Sequence, residues 1–310
     1  MAQDRGHTIL VTGAGGGSGM YAIKALKRST AHTVVACDVS PHSAGLYLAD
    51  RYALVPAARD PQFIPAVRRL IAEHGIDIVL PNVDEELLVF ARNRTALGAT
   101  VVVSDPDTIE CCNDKLLTME RLSAVCPCPR GGERFPCVLK PRISRGSKGV
   151  YVAGDSGELA LSMQLLERQG YTRADVLVQE YLPGVEYTVD ALCDGAGRLV
   201  VAVPRERLKT RGGISEAGRT VRHQGIIDSV AAITAALPFF GPINVQFRED
   251  SAGCPRLMEI NPRCSGGLPI ACAAGADIVN LAVQVVNGAA LPDVEWRELT
   301  VYRYLEELVV

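Results

Sequence analysis

The sequence predicts an α/β protein in which a doubly wound, mostly parallel sheet is followed by two α+β units. Short apolar, β-branched runs alternate with helical patterns over the first hundred residues, as in a parallel sheet covered on both faces. Beyond about Asp107, strand patterns cluster among glycine-rich turns with few helices between them. At 310 residues the chain has room for roughly two domains on the usual length prior.

The elements follow in order. His7 to Thr12 reads as a buried strand, then a glycine-rich turn, then a helix over Ser18 to Lys27. Thr33 to Cys37 is a second strand, ending at Asp38. Pro61 to His74 is helical, with Phe63, Val67, Leu70 and Ile71 on one face. Ile76 to Leu80 and Thr100 to Val103 complete the first set of strands. In the second part, Cys137–Lys140, Gly149–Val152, Val176–Gln179, Tyr187–Cys193, Leu199–Val203, Ile243–Arg248 and Arg256–Ile260 read as strands. Helices are expected over Gly157–Gln169 and Asp228–Leu237.

Composition excludes several classes. With 48% hydrophobic and 22% charged residues the chain is ordinary globular protein. A net charge of -3 lacks the basic footprint that nucleic-acid phosphates require. No signal-peptide pattern opens the sequence. Ser229–Phe247 and Leu268–Pro292 are apolar, but Pro238, Gly241, Pro242 and Asp277 interrupt them, so both read as core elements rather than membrane spans. A cytoplasmic, soluble protein is expected. The ten cysteines include Cys111-Cys112 and Cys126-Pro127-Cys128, but neither pair has CxxC spacing and no histidine is near. Buried, reduced thiols are the reading.

Several short patterns carry chemistry. Gly13 to Gly19 follows a strand, opens a helix and precedes Asp38 by about 20 residues, like a dinucleotide fingerprint, except that Ser18 stands where the third glycine belongs. A tight turn without cofactor reads the loop equally well. If Leu257 to Asn261 is a strand, alternation puts Glu259 and Asn261 on one face and Met258 and Ile260 in the core. Gln246 can join that face across a hairpin. A carboxylate and two amide oxygens form a hard donor set suited to Mg2+, although two strands with exposed polar residues look the same. Lys140 ends a buried strand beside the loop Arg142 to Gly149, which reads as a phosphate clamp or as a basic surface turn. Glu180 to Leu182 leads into a linker able to meet an adenine edge, with Glu186 placed for ribose hydroxyls.

Taken in this order, the segments resemble the ATP-grasp superfamily, most closely its carbamoyl phosphate synthase large-subunit-like branch. The resemblance rests on Asn113-Asp114-Lys115, Val138-Leu139-Lys140-Pro141, the 142–149 loop and Gln179 through Glu186. Asn244-Val245-Gln246-Phe247 and Met258-Glu259-Ile260-Asn261-Pro262-Arg263 complete it. The N-terminal part resembles that branch's pre-ATP-grasp domain through the glycine turn, Asp38-Val39-Ser40-Pro41, Leu48-Ala49-Asp50 and Pro81 to Leu87. Between Lys115 and Lys140 the chain is several residues shorter than the family usually has.

The resemblance implies a pre-ATP-grasp domain over 1–107, a small lid domain over 108–182 and a metal-binding and substrate domain over 183–310. It implies phosphate contacts from Lys115, Lys140, Ser147, Lys148 and Gly149. Adenine would meet the backbone of Glu180, Tyr181 and Leu182, and ribose would meet Glu186. Glu259 would bridge two Mg2+ ions, replaceable by Mn2+, with Gln246 and Asn261. Arg263 and Lys140 would be catalytic, and Arg207, Arg211, Ser265, Gly266 and Gly267 would bind the acid. The implied activity is an ADP-forming carboxylate–amine or carboxylate–thiol ligase acting through an acyl phosphate, with a homodimer compatible and no nucleic acid or membrane partner. One such unit without a glutaminase argues against carbamoyl phosphate synthesis itself. Two rivals stand beside it. An NAD-dependent oxidoreductase would use the Gly13 loop and Asp38, and a silent ATP-binding regulatory module would not need the metal ligands.

Overall fold

The computed structural model describes residues 6–29, 31–144, 146, 148–289, 291 and 293–310. In the N-terminal part, β1 (Thr8–Thr12), α1 (Gly17–Leu26), β2 (Thr33–Asp38), β3 (Arg51–Leu54), α2 (Phe63–His74), β4 (Ile78–Leu80), α3 (Asp84–Asn93) and β5 (Thr100–Val101) follow one another. The sheet has the order β3-β2-β1-β4-β5, and every pairing is parallel. Its apolar runs are continuous because both faces are buried. Ile9, Val11, Val34, Ala36 and Ile78 enter one core with α1, while Leu10, Val35, Cys37 and Val79 enter the other with α2 and α3. The strand β3 was not expected. It lies at the sheet edge with a mostly exposed sequence, so no apolar run announces it.

The next segment contains α4 (Pro106–Asn113), α5 (Lys115–Leu122), β6 (Cys137–Pro141), β7 (Tyr151–Ala153), α6 (Ser156–Arg168) and β8 (Val176–Glu180). The three strands form an antiparallel sheet, β7-β6-β8, closed by α6 through Leu139, Leu159, Met163 and Leu166. Asp155 caps α6 by accepting the Gly157 and Glu158 N–H groups. By contrast, Cys111, Cys112, Leu122 and Cys126 belong to the core of the sheet that follows. The short link after α5 ties the two sheets together. Leu257 N–H donates to Pro127 O at 2.8 Å, and Glu180 N–H to Arg130 O at 2.9 Å.

The last part contains β9 (Glu186–Cys193), β10 (Leu199–Arg211), β11 (Ile214–Thr220), α7 (Gln224–Ala236), β12 (Gly241–Glu249), β13 (Pro255–Asn261), α8 (Leu268–Ala273), α9 (Ile278–Val286) and β14 (Thr300–Tyr302). Its antiparallel sheet has the order β13-β12-β9-β10-β11-β14. The strand β10 runs far past the expected end at Val203. It turns at Gly212 and Gly213, both with positive φ, into β11, which the sequence did not announce. Residues 205–220 are mostly charged, small or glycine, with Leu208 and Ile214 as isolated apolar side chains, so hydrophobic periodicity is absent there. The helices α8 and α9 supply Leu268, Ala271, Val279 and Ala282 to the core around α1, which joins the first and last parts of the chain. Among the described residues no helix is long and apolar enough to cross a membrane.

At the carboxyl end of β1, the Thr12 hydroxyl donates to the buried carboxyl of Glu86. Burial pushes Glu86 up to about 7, the nearby Asp38 and Glu85 add to this, and Thr12 opposes it. The folded chain therefore keeps a proton that the unfolded chain, with an ordinary value of 4.5, releases. This contribution to stability is full below about pH 4.5 and is lost as pH rises through about 7. Glu86→Gln removes the titration, so its Tm should gain on wild type by roughly 2–4 °C between pH 5 and pH 7.5. A difference in Tm that stays constant across that range contradicts this account.

Candidate active site

Opposite each other on β12 and β13 stand Asn244 with Asn261 and Gln246 with Glu259. The four polar side chains form a square on one face, with Val245, Phe247, Leu257 and Ile260 on the other, in the core. Simple alternation fails here. Leu257 and Glu259 would share a face, but the pairing shifts so that Phe247 meets Leu257, leaving Met258 as a bulge. The core position is therefore Leu257 rather than Met258, which is only partly buried. Gln246 Nε2 donates to Asn244 Oδ1 at 3.4 Å, and Asn261 Nδ2 to Glu259 Oε1 at 3.2 Å.

Two lysines converge on Glu259. Lys115 opens α5, whose N-cap Asp114 also receives the Arg142 guanidinium at 2.6 Å and 3.2 Å. The Lys115 amine donates to Ser144 O at 2.9 Å and lies 3.8 Å from Glu259 Oε2. Lys140, near the end of β6, is 4% exposed. Burial pulls its amine down to about 8, with the positive charge of Lys115 adding and Glu259 opposing.

Further along, Arg263 is gripped from the N-terminal part of the chain. Its Nε and Nη2 donate to the two oxygens of Asp84, the first residue of α3, at 2.7 and 2.8 Å. Its Nη1 donates to Cys264 O. Below it lies a buried network. Arg205 donates to Asp190 at 2.8 Å, to Ser215 Oγ at 2.8 Å and to Ser265 Oγ at 3.1 Å. The Ser265 hydroxyl donates in turn to Asp190. Arg303 ties the same region by donating to Ser215 O and Gly266 O. These groups enclose a cavity of about 190 Å³ lined by Asp84, Ser144, Gly146, Arg205, Arg207, the 212–215 turn, Asn244, Gln246, Glu259, Asn261, Arg263 and Ser265–Gly267.

Most of the expected site residues meet in or beside this cavity. Gln246, Glu259, Asn261, Arg263, Arg207, Ser265, Gly266 and Gly267 line it, and Lys115 on α5 and Lys140 on β6 face Glu259. Arg211 does not. It lies on the exposed hairpin, paired with Glu216 at 2.6 Å, beyond the register shifts on either side of Lys209, although the turn that follows it does line the cavity. Lys148 is exposed, and Gly149 packs by Pro141 and Leu166, so the loop reaches the cavity through Ser144 and Gly146 instead. Ser147 lies outside the described residues. The N–H groups of Glu180 and Tyr181 are taken by Arg130 O and Pro136 O, which leaves Leu182 at the end of that linker. Glu186 is paired with Arg207 and lies 3.9 Å from Arg248.

The N-terminal glycine loop offers a dinucleotide no free acid. Asp38 accepts the Gly15 and Ser40 N–H groups, so its carboxylate is committed to its own turn. Gly266 and Ile214 pack beside Gly17, where a Cβ would stand 3.5–3.6 Å from them, while Gly15 and Gly16 stay exposed. The oxidoreductase expectation is therefore set aside.

Comparison with known proteins agrees with this geometry. The family described as "ATP-grasp in the biosynthetic pathway with Ter operon" matches residues 172–308, and "PylC-like, N-terminal domain" matches residues 9–103. The carbamoyl phosphate synthase large chain of Clostridium beijerinckii is 30% identical over 171 residues, covering 52% of this chain. Residues 172–308 thus match an ATP-grasp family. The chain is similar to carbamoyl phosphate synthase large chains, although it spans only 16% of the length of that relative. Two solved structures share the fold. One is the biotin carboxylase domain of Hydrogenobacter thermophilus 2-oxoglutarate carboxylase, in complex with MgADP, ADP and bicarbonate. It has a TM-score of 0.77 and 18% identity, covering 94% of this chain and 72% of that one. The other is N5-carboxyaminoimidazole synthetase from Staphylococcus aureus with ADP, at a TM-score of 0.76 and 17% identity, covering 96% and 81%.

Within this ATP-grasp fold the polar square fits a hard divalent cation, since it converges one carboxylate and amide oxygens on one face. Sequence reasoning missed Asp84 as a site residue, and it missed Arg205 and Asp190 altogether. Only Asp84 lay within a quoted motif, and its partner is 179 residues away. Gly267 reports on the network. A Cβ there would come within 2.4–2.7 Å of the pinned Arg205 guanidinium. Gly267→Ala should destabilise the fold by about 1–3 kcal/mol, read as a fall in denaturant midpoint. An unchanged midpoint would show that Arg205 is free to move aside.

Proposed function

We propose that this chain is an ATP-dependent, ADP-forming ligase that joins a small carboxylic acid to an amine or thiol through an acyl phosphate. The observation that carries the reading is the polar square on β12 and β13, faced by Lys115 and Lys140 and adjoined by Arg263. A silent binding module has no need of that arrangement. In this reading the chain divides into a parallel-sheet domain over 1–107, a lid domain over 108–182 and a metal-binding domain over 183–310. The helices α4 and α5 sit against the third of these. A cytoplasmic location and assembly as a homodimer belong to the same proposal.

Lys115 and Lys140 hold the phosphate chain, and Ser144 and Gly146 close over it from the lid loop. Leu182 meets the adenine edge, and Glu186 receives the ribose while still facing Arg207 and Arg248. Glu259, Gln246 and Asn261 would hold Mg2+, which would supply neutralisation of phosphate charge. Arg263, fixed through Nε and Nη2 by Asp84, turns its remaining N–H groups to the transferring phosphoryl group. A carboxylate oxygen of the acid attacks the γ-phosphorus, the bond to the β–γ bridging oxygen breaks, and ADP leaves. The amine or thiol then attacks the acyl carbon and inorganic phosphate departs.

Incubation with Mg2+, ATP, hydroxylamine and a panel of acids tests this. The expected products are ADP and a hydroxamate, both reduced by more than about 100-fold in Glu259→Gln. AMP with pyrophosphate as products, or ADP formed equally without any acid, would rule the mechanism out.

A further inference from the structure

On β10, Arg207 enters the cavity with its side chain 9% exposed. Its Nη1 donates to Glu186 and its Nη2 to Gly213 O at 2.6 Å, so the guanidinium is pinned at two corners. The third corner, Nε–H, is buried and has no acceptor among the described residues. Leaving a charged donor buried and unmet is costly, and in native proteins such a group is normally met by a partner.

The charges beside it are unbalanced. Arg207 and Arg248 share the carboxylate of Glu186, and among the described residues neither has a second acidic partner. Two guanidinium groups against one carboxylate leave an excess of positive charge around Arg207, which lines the cavity although Arg248 and Glu186 do not. The cavity is also lined by Arg263 and the polar square. The rest of the wall is polar or glycine, and Ile214 is the one large apolar side chain among the described lining residues. An alkyl chain would call for a mostly hydrophobic wall. Ile214 itself lies over two glycines. A Cβ on Gly266 would stand 3.1 Å from it and one on Gly17 3.6 Å, so it blocks the cavity toward the N-terminal glycine loop.

We propose that the acid substrate is a short dicarboxylate. One carboxylate is phosphorylated beside Arg263, and the second accepts the Nε–H of Arg207. Ile214 limits the length of the acid. This rests on the ligase reading above and names the class of acid that reading leaves open.

The experiment compares acids of equal length by ADP release and hydroxamate yield. Succinate, glutarate, L-aspartate and L-glutamate are set against butyrate, pentanoate, 2-aminobutyrate and norvaline. At least one dicarboxylate should exceed its monocarboxylate partner about 10- to 100-fold in kcat/KM, the range of a hydrogen bond to a charged group. Arg207→Lys, which keeps the charge but loses Nε–H, should remove most of that preference, bringing the dicarboxylate kcat/KM down toward that of its monocarboxylate partner. Equal use of both series would overturn the proposal and leave the ligase intact. A raised KM for ATP in Arg207→Lys with the acid preference unchanged would assign Arg207 to the nucleotide and overturn it too. ATP cleavage with no hydroxamate in either series would overturn the ligase reading and this proposal together.

Discussion

The pairing of β12 with β13 is the constraint on which the site depends. Both strands must bury apolar side chains on one face and collect oxygen donors on the other. On β12 plain alternation achieves this, with Asn244 and Gln246 outward and Val245 and Phe247 inward. On β13 it cannot, because Leu257 and Glu259 are two residues apart and need opposite faces. The bulge at Met258 resolves the conflict by taking one residue out of the ladder. Glu259 thereby comes to face Lys115 and Lys140, whose amines would otherwise be buried without a carboxylate nearby.

Around that square, two arginines set the geometry by different means. Arg205 is wholly enclosed, and its donors join β9, β11 and the turn after Arg263 into one unit. Removing one partner of such a buried pair strands the other charge, so the turn is held firmly. Arg263 is instead held across the boundary between the first and last parts of the chain by Asp84. The parallel sheet thus contributes to the site through the start of α3. The shared core between α1 and the helices α8 and α9 keeps that contact in register.

Much of this was legible in the sequence where burial imposes a pattern. The strands β1, β2 and β4 and the helix α2 announced themselves because each is packed on apolar neighbours with a clear period. Gln246, Glu259 and Asn261 were readable as neighbours because a hairpin fixes which residues oppose. The bulge was not readable, since it follows from competition between two faces rather than from any residue type. Nor was the β10–β11 hairpin, where the buried residues include Arg205 and Ser215 instead of an apolar run. Arg211 and Lys148 looked like equals of Arg207 and Lys140 in the sequence, but they stand outside the cavity at the exposed tips of their turns. Charge alone did not separate them; position along the strand did.

If the square on β12 and β13 is a divalent-cation site, it should bind Mn2+ directly in the presence of ADP. Electron paramagnetic resonance titration of free and bound Mn2+ measures this without any acid or turnover. Wild type should bind Mn2+ in the ADP complex, and Glu259→Gln should weaken it by at least about 10-fold while the fold stays intact. Equal Mn2+ affinity in the two proteins would contradict the account, because the metal would then be held away from the carboxylate that the bulge brings into the site.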